Sequence, residues 1–169
     1  MANIYKAVND LIVKYTTYGD DVIFKNYYNN VPLPKPNHFC IMFVLYNRPQ
    51  MALLRQQKTP NVGAKTSSTD YTQLNDTHMQ VDFYGEEAMD QSQKFTTVLQ
   101  SPLGTNFLNS LGYTVRTCNS PEQIGDPLDR DNYVERYIVK FSLFSNSTIT
   151  DTLEAFDAAI VNPILVETS

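Results

Sequence analysis

The stretch HMQVDFYGEEAMDQSQKFTTVLQ, residues 78–100, decides how the chain folds. Met79 to Tyr84 alternates, with Val81 and Phe83 on one side and Gln80 and Asp82 on the other, which is the period of a strand with one buried face. After Gly85 the period changes. Ala88, Gln91, Phe95, Val98 and Leu99 trace a mostly apolar stripe along one side of a helix. Gly85 supplies the joint, and Glu86 and Glu87 put negative charge where the positive end of the helix dipole favours it. The unit is a strand that runs straight into a helix folding back over the sheet.

On the N-terminal side, Ile4, Val8, Leu11, Ile12 and Tyr15 recur at helical spacing behind Asn3, a suitable N-cap, and the turn-rich Tyr18-Gly19-Asp20-Asp21 ends that helix. Val22 to Lys25 reads as a short strand. Pro32, Pro34 and Pro36 remove three backbone donors at alternate positions and predict a stiff extended arm over Val31 to Pro36. Phe39 to Tyr46 is almost continuously apolar, the pattern of a strand buried on both faces and so the expected centre of the sheet. From about 47 to 76 the composition turns polar with little apolar periodicity, which predicts a long loop. Arg48, Arg55, Lys58 and Lys65 make it the one locally basic part of the chain.

On the C-terminal side, Ser101-Pro102 ends the central helix, and Phe107, Leu108 and Leu111 form a short apolar pattern stopping at Gly112, a candidate C′ residue. Tyr113 to Cys118 reads as a strand and Asn119 to Asp131 as a loop. Tyr133 to Phe144 alternates, with Tyr133, Tyr137, Val139, Phe141 and Leu143 on one face and Arg136, Lys140 and Ser142 on the other. Beyond it, Leu153, Phe156, Ala159 and Ile160 fit a helix capped by Thr150 or Asp151, while Phe156, Ala158 and Ile160 fit a strand. Periodicity does not choose between them.

The chain has 169 residues, the size of one ordinary domain. Eighteen acidic against thirteen basic side chains leave a net charge of −5, with no run of cations to neutralise a phosphate backbone. Residues 1–15 lack the continuous apolar core of a signal peptide, and no stretch reaches the roughly 18 apolar residues of a membrane span. The expectation is a soluble protein made in the cytosol. Asn75-Asp76-Thr77 and Asn146-Ser147-Thr148 match the glycosylation pattern but carry no meaning without secretion.

Chemical signatures are sparse. Neither a GxxxxGK[ST] nor a GxGxxG loop is present, nor a GxSxG elbow. The only histidines, His38 and His78, have no paired spacing, and His38 with Cys40 gives two ligands where a tetrahedral metal site needs four. Asp126, Asp129 and Asp131 depart from the EF-hand spacing and read as a solvated loop. Cys40 and Cys118 read as core residues kept reduced; Arg116, two residues from Cys118, would share its strand face. Asp82 and Arg136 are charges inside strand-like runs. A partly buried ion pair, a contact with another subunit, or two solvent-facing strand sides would each account for them.

The pattern VDFYGEEA followed by a helix resembles the strand-Tyr-Gly-helix signature of phage tail-terminator, or neck-terminator, proteins. The N-terminal helix, Val22 to Asn26, the proline-punctuated linker and the late strand carrying Tyr133 and Arg136 are similar in the same order, so the resemblance covers most of the chain. It implies a structural virion protein with no enzymatic activity, no cofactor and no metal. Six copies would form a ring in the neck that terminates the tail tube and joins it to the head connector. The implied partners are the chain itself, the tail-tube protein and the sheath protein, and a head-side connector or stopper. Viral DNA would pass through the lumen without specific binding. The alternatives are another connector component, such as a stopper or head-completion protein, or a small cytosolic ligand-binding domain or enzyme.

The expected fold is α+β: one domain over 1–169, with a mixed, mostly antiparallel sheet and helices packed on one face. The residues expected to contact other subunits or partners are Arg48, Arg55, Lys58 and Lys65, the arm residues Pro32, Pro34 and Pro36, and Asp82 and Arg136.

Overall fold

Strand β4, Thr66–Tyr84, and strand β7, Arg136–Glu154, are 19 residues each and pair antiparallel along their whole length, from Thr66 opposite Glu154 to Tyr84 opposite Arg136. The computed structural model describes residues 3–25, 38–49, 54–57, 66–124 and 135–154. In it, helices α1 (Ile4–Tyr15), α2 (Ala88–Gln100) and α3 (Pro102–Ser110) join a seven-stranded sheet. The other strands are β1 (Ile23–Lys25), β2 (Phe39–Pro49), β3 (Leu54–Gln57), β5 (Tyr113–Cys118) and β6 (Glu122–Gln123). The order across the sheet is β1-β2-β4-β7-β5, with β3 added to β4 and β6 added to β7. Only β1 and β2 run parallel.

The joint at Gly85 forms as its residue type requires. Its φ is +116°, a backbone region that L side chains rarely adopt, and its N–H donates to the Glu135 carbonyl at 3.1 Å, tying the end of β4 to the start of β7. Met79, Val81 and Phe83 face the helices. Phe95 of α2 packs between Phe83 and Phe141, ring centroids 5.6 and 5.7 Å apart, and Tyr18 stands edge-on to Phe83 at 5.6 Å. Helix α1 begins where its cap predicts, with the Asn3 side chain accepting from the Tyr5 N–H at 3.0 Å. It buries Ala7, Val8, Leu11 and Ile12. Helix α3 stops before Gly112, whose φ is +86°.

Three expectations change. The apolar run Phe39 to Tyr46 is not the centre of the sheet: β2 lies between β1 and β4, is buried only over Phe39 to Met42, and becomes exposed toward Pro49. The sheet instead centres on β4 and β7, which are neighbours through all 19 residue pairs. The described residues within 47–76 are strand rather than loop, supplied by the end of β2, by β3 and by the first half of β4. Thr150 and Asp151 lie within β7, so they cap no helix; residues 155–169, where the rest of that ambiguity falls, lie outside the described residues.

The helices cover only the half of the sheet built from about 76–84 and 136–145. Beyond it β4 and β7 run on for roughly ten residues, about 33 Å at strand rise, with β3 alongside. Thr72 and Thr148 share a hydroxyl hydrogen bond at 2.9 Å there, and the Thr150 hydroxyl donates to Asp70 at 2.7 Å. Sequence alternation does not mark this ribbon because its residues are mostly polar, with apolar side chains such as Tyr71 and Ile149 too widely spaced to set a period.

Candidate assembly interface

The sheet face turned away from the helices carries two charge clusters, each seated on aromatic rings. In the first, the Arg136 guanidinium donates to Asp82 at 2.8 Å and lies 5.5 Å from the centre of the Tyr84 ring, which stacks on Phe39 at 4.3 Å. Gln80 donates to the other Asp82 oxygen at 2.7 Å. Asp82 is fully buried, and burial is the largest influence on its carboxyl, pushing it above the ordinary range against the lowering effect of Gln80 and Arg136. Of the three readings open for these residues, the structure shows the ion pair within one chain.

The second cluster was hidden by two bulges. Arg116 is the extra residue between Val115, opposite Leu143, and Thr117, opposite Ser142. Arg116 keeps the outer face of Thr114, where it pairs with the buried Asp76 and lies 5.0 Å from the Phe144 ring centre, and the bulge turns Cys118 to the other side. His78 meets the same Asp76 oxygen at 3.2 Å. Its ring stacks at 4.2 Å on Tyr46, which a matching bulge at Leu45 has brought into register. Arg116 and Cys118 therefore do not share a face, contrary to simple alternation. Cys118 lies opposite Phe141 on the helix side, with burial pushing its thiol up to about 11. Burial holds Cys40 well above the usual thiol range as well, so neither cysteine presents a thiolate.

Of the expected contact residues, Arg48 is exposed and sits opposite Asp76 in the β2–β4 register. Arg55 lies in β3 opposite Tyr71. Lys58, Lys65, Pro32, Pro34 and Pro36 lie outside the described residues, as does the Asp126, Asp129 and Asp131 loop. Among the described residues no group of three His, Cys, Asp or Glu side chains could hold a metal ion, and no helix is long and apolar enough to cross a membrane.

A cleft of about 380 Å³ opens beside Thr17, Tyr18, His38, Glu86 and Glu87. Its polar groups serve the fold. The Tyr18 hydroxyl donates to the Tyr84 carbonyl at 3.0 Å, and its phenol is pushed up by burial. Glu87 accepts from Gln91 at 3.0 Å and from Thr17 at 3.3 Å, while Gln91 in turn accepts from the Thr17 N–H at 3.2 Å. Gln91, the one polar member of the apolar stripe, is thus the buried link between α2 and the end of α1.

No curated protein matches the chain. A helix-backed, mostly antiparallel sheet with a strand-Tyr-Gly-helix joint agrees with what the sequence resembles. The model of the family described as phage neck terminator protein matches residues 2–165, and the chain belongs to that family, structural proteins of the phage neck.

Proposed function

We propose that six copies of this neck protein form a ring that terminates the tail tube and joins it to the head-side connector. The observation that carries the reading is the division of the chain into a helix-backed body and a polar three-stranded ribbon, β3–β4–β7, extending beyond it. The ribbon lies beyond the helix-covered half and is mostly polar, with Tyr71 opposite the exposed Ile149 on one face; a mixed polar and aromatic surface of this kind suits contact with other proteins. The tail-tube and sheath proteins on one side, and a connector or stopper on the other, would read its shape and charge. The basic residues Arg48, Arg55, Lys58 and Lys65 and the arm at Pro32, Pro34 and Pro36 are the proposed contacts. A net charge of −5 suits a conduit that lets DNA pass without holding it. Both charge clusters are arranged as structural ion pairs, and among the described residues neither cysteine stands beside a base, which supports a role in assembly rather than catalysis.

Light scattering and negative-stain images of the purified protein, alone and with tail-tube protein, test this. Closed six-fold rings, free or on tube ends, are expected. A protein that neither forms rings nor binds the tube would overturn it.

A further inference from the structure

We propose that the outer edge of β7, from Asn146 onward, takes up strand β3 of a neighbouring copy of this chain, so that the β3–β4–β7 ribbon continues from one subunit into the next. This rests on the ring reading and names its seam. On its outer side β7 pairs with β6 and β5 only up to Ser145; among the described residues, Asn146 to Glu154 has no partner strand there, and Asn146 to Thr152 are exposed. Free edges are aggregation hazards that proteins blunt with short strands, bulges, lysine or proline. The other edges follow that rule: β1, β3 and β6 are three, four and two residues long, β5 is bulged at Arg116, and β2 is bulged at Leu45 and ends at Pro49. The β7 edge, NSTITDTLE, has no lysine, no proline and an unbroken register, and carries three Thr and one Ile. Its only charges are Asp151 and Glu154, which oppose a second acidic edge but not a basic strand.

Charge selects the partner. Residues 145–154 carry Asp151 and Glu154 and no cation, whereas residues 48–65, which include β3, carry Arg48, Arg55, Lys58 and Lys65 and no carboxylate. The acidic edge on β7 and strand β3, which carries Arg55, bound opposite sides of the same ribbon. Pairing two β7 edges about a two-fold axis would bring like charges together, while head-to-tail pairing of β7 with β3 brings opposite charges together. Strand direction agrees. Both β3 and β7 are antiparallel to β4, so they run the same way, and rotation about an axis along the ribbon lays a neighbour's β3 parallel to β7. Heterologous contacts of this kind generate a ring when the rotation between neighbours closes, as the ring reading requires.

Disulfide trapping tests the seam. Gln56→Cys is combined with one of Asn146→Cys, Thr148→Cys, Thr150→Cys or Thr152→Cys on a Cys118→Ser background. Gln56, Asp70 and Thr150 are successive partners across the ribbon, so these β7 positions share the Gln56 face and sample the registers in two-residue steps. Within one chain β4 separates the two strands by about 9.6 Å, beyond the roughly 7 Å Cα reach of a disulfide. Any bond formed therefore joins two copies. Oxidation of the assembled protein should give a ladder of covalent multimers for at least one pair, and none when Met89→Cys on α2 replaces Gln56→Cys. Rings by light scattering with all four pairs uncrosslinked would overturn the seam and leave the ring reading standing. A protein monomeric both alone and with tail-tube protein would overturn both. As an independent check, Asp151→Lys should lower the assembled fraction at least several-fold, and Arg55→Asp in the same chain should restore part of it; unchanged assembly in Asp151→Lys would count against the seam.

Discussion

Arg136 and Asp82 meet at 2.8 Å between adjacent strands, with the carboxylate fully buried and the guanidinium side chain one-fifth exposed. The asymmetry makes the two partners unequal. Removing Arg136 strands a buried charge, whereas Asp82→Asn removes the charge and keeps the shape. Arg136→Met should therefore cost about 3 kcal/mol and Asp82→Asn about 1 kcal/mol in urea unfolding. Equal losses would show that the pair is not buried in solution.

The same pair sets a pH dependence. Burial raises the Asp82 carboxyl, so the folded state holds a proton that the unfolded chain has already released. Its contribution to stability is complete below the ordinary carboxylate value and is lost as pH rises through the raised one. Without Arg136, which lowers it, the carboxyl rises further. The deficit of Arg136→Met should thus be smaller near about pH 5 than near about pH 8, as read from paired denaturation curves.

Two glycines should fail for different reasons. A Cβ on Gly104 would stand 2.2 Å from the Val98 carbonyl oxygen, so Gly104→Ala forces α3 away from α2. A cost of about 1–3 kcal/mol is expected, or roughly 3–10 °C in Tm for a chain of this size. Gly112 has open space around it but a φ of +86°, so Gly112→Ala meets only backbone strain, about 1 kcal/mol, and Gly112→Asn should cost less. Calorimetry on the three variants would separate a contact clash from a conformational cost.

Arg116 holds its position at a bulge rather than through burial. Arg116→Ala leaves Asp76 with His78 on the oxygen they shared and should cost about 1–2 kcal/mol. Because Asp76 is buried, adding salt to wild type should not reproduce that loss. A wild-type stability that falls by the same amount in high salt would place the pair in solvent.

Deleting Leu53 to Ser68 removes β3 and the start of β4 but nothing from the helix-covered half of the sheet. The shortened protein should unfold cooperatively with a stability close to wild type and fail to assemble. Circular dichroism and solution mass on one sample would show this, and loss of folding would make the ribbon part of the folding unit.

Much of the body was legible because burial leaves a period in the sequence. The Asn3 cap, the strand-Gly-helix joint at Gly85, the buried stripe from Ala88 to Leu99 and the stop at Gly112 each follow from local chemistry, and each forms as read. The basic character of 47–65 was equally plain. Only the tertiary structure showed that the described polar residues beyond Asn47 are strands, since a mostly polar strand has no apolar alternation and is specified by a partner far along the chain, as Thr72 is by Thr148. The bulges at Leu45 and Arg116 were hidden for a related reason. One extra residue resets the side-chain alternation, and that residue is defined by the neighbouring strand's register, which no local pattern records.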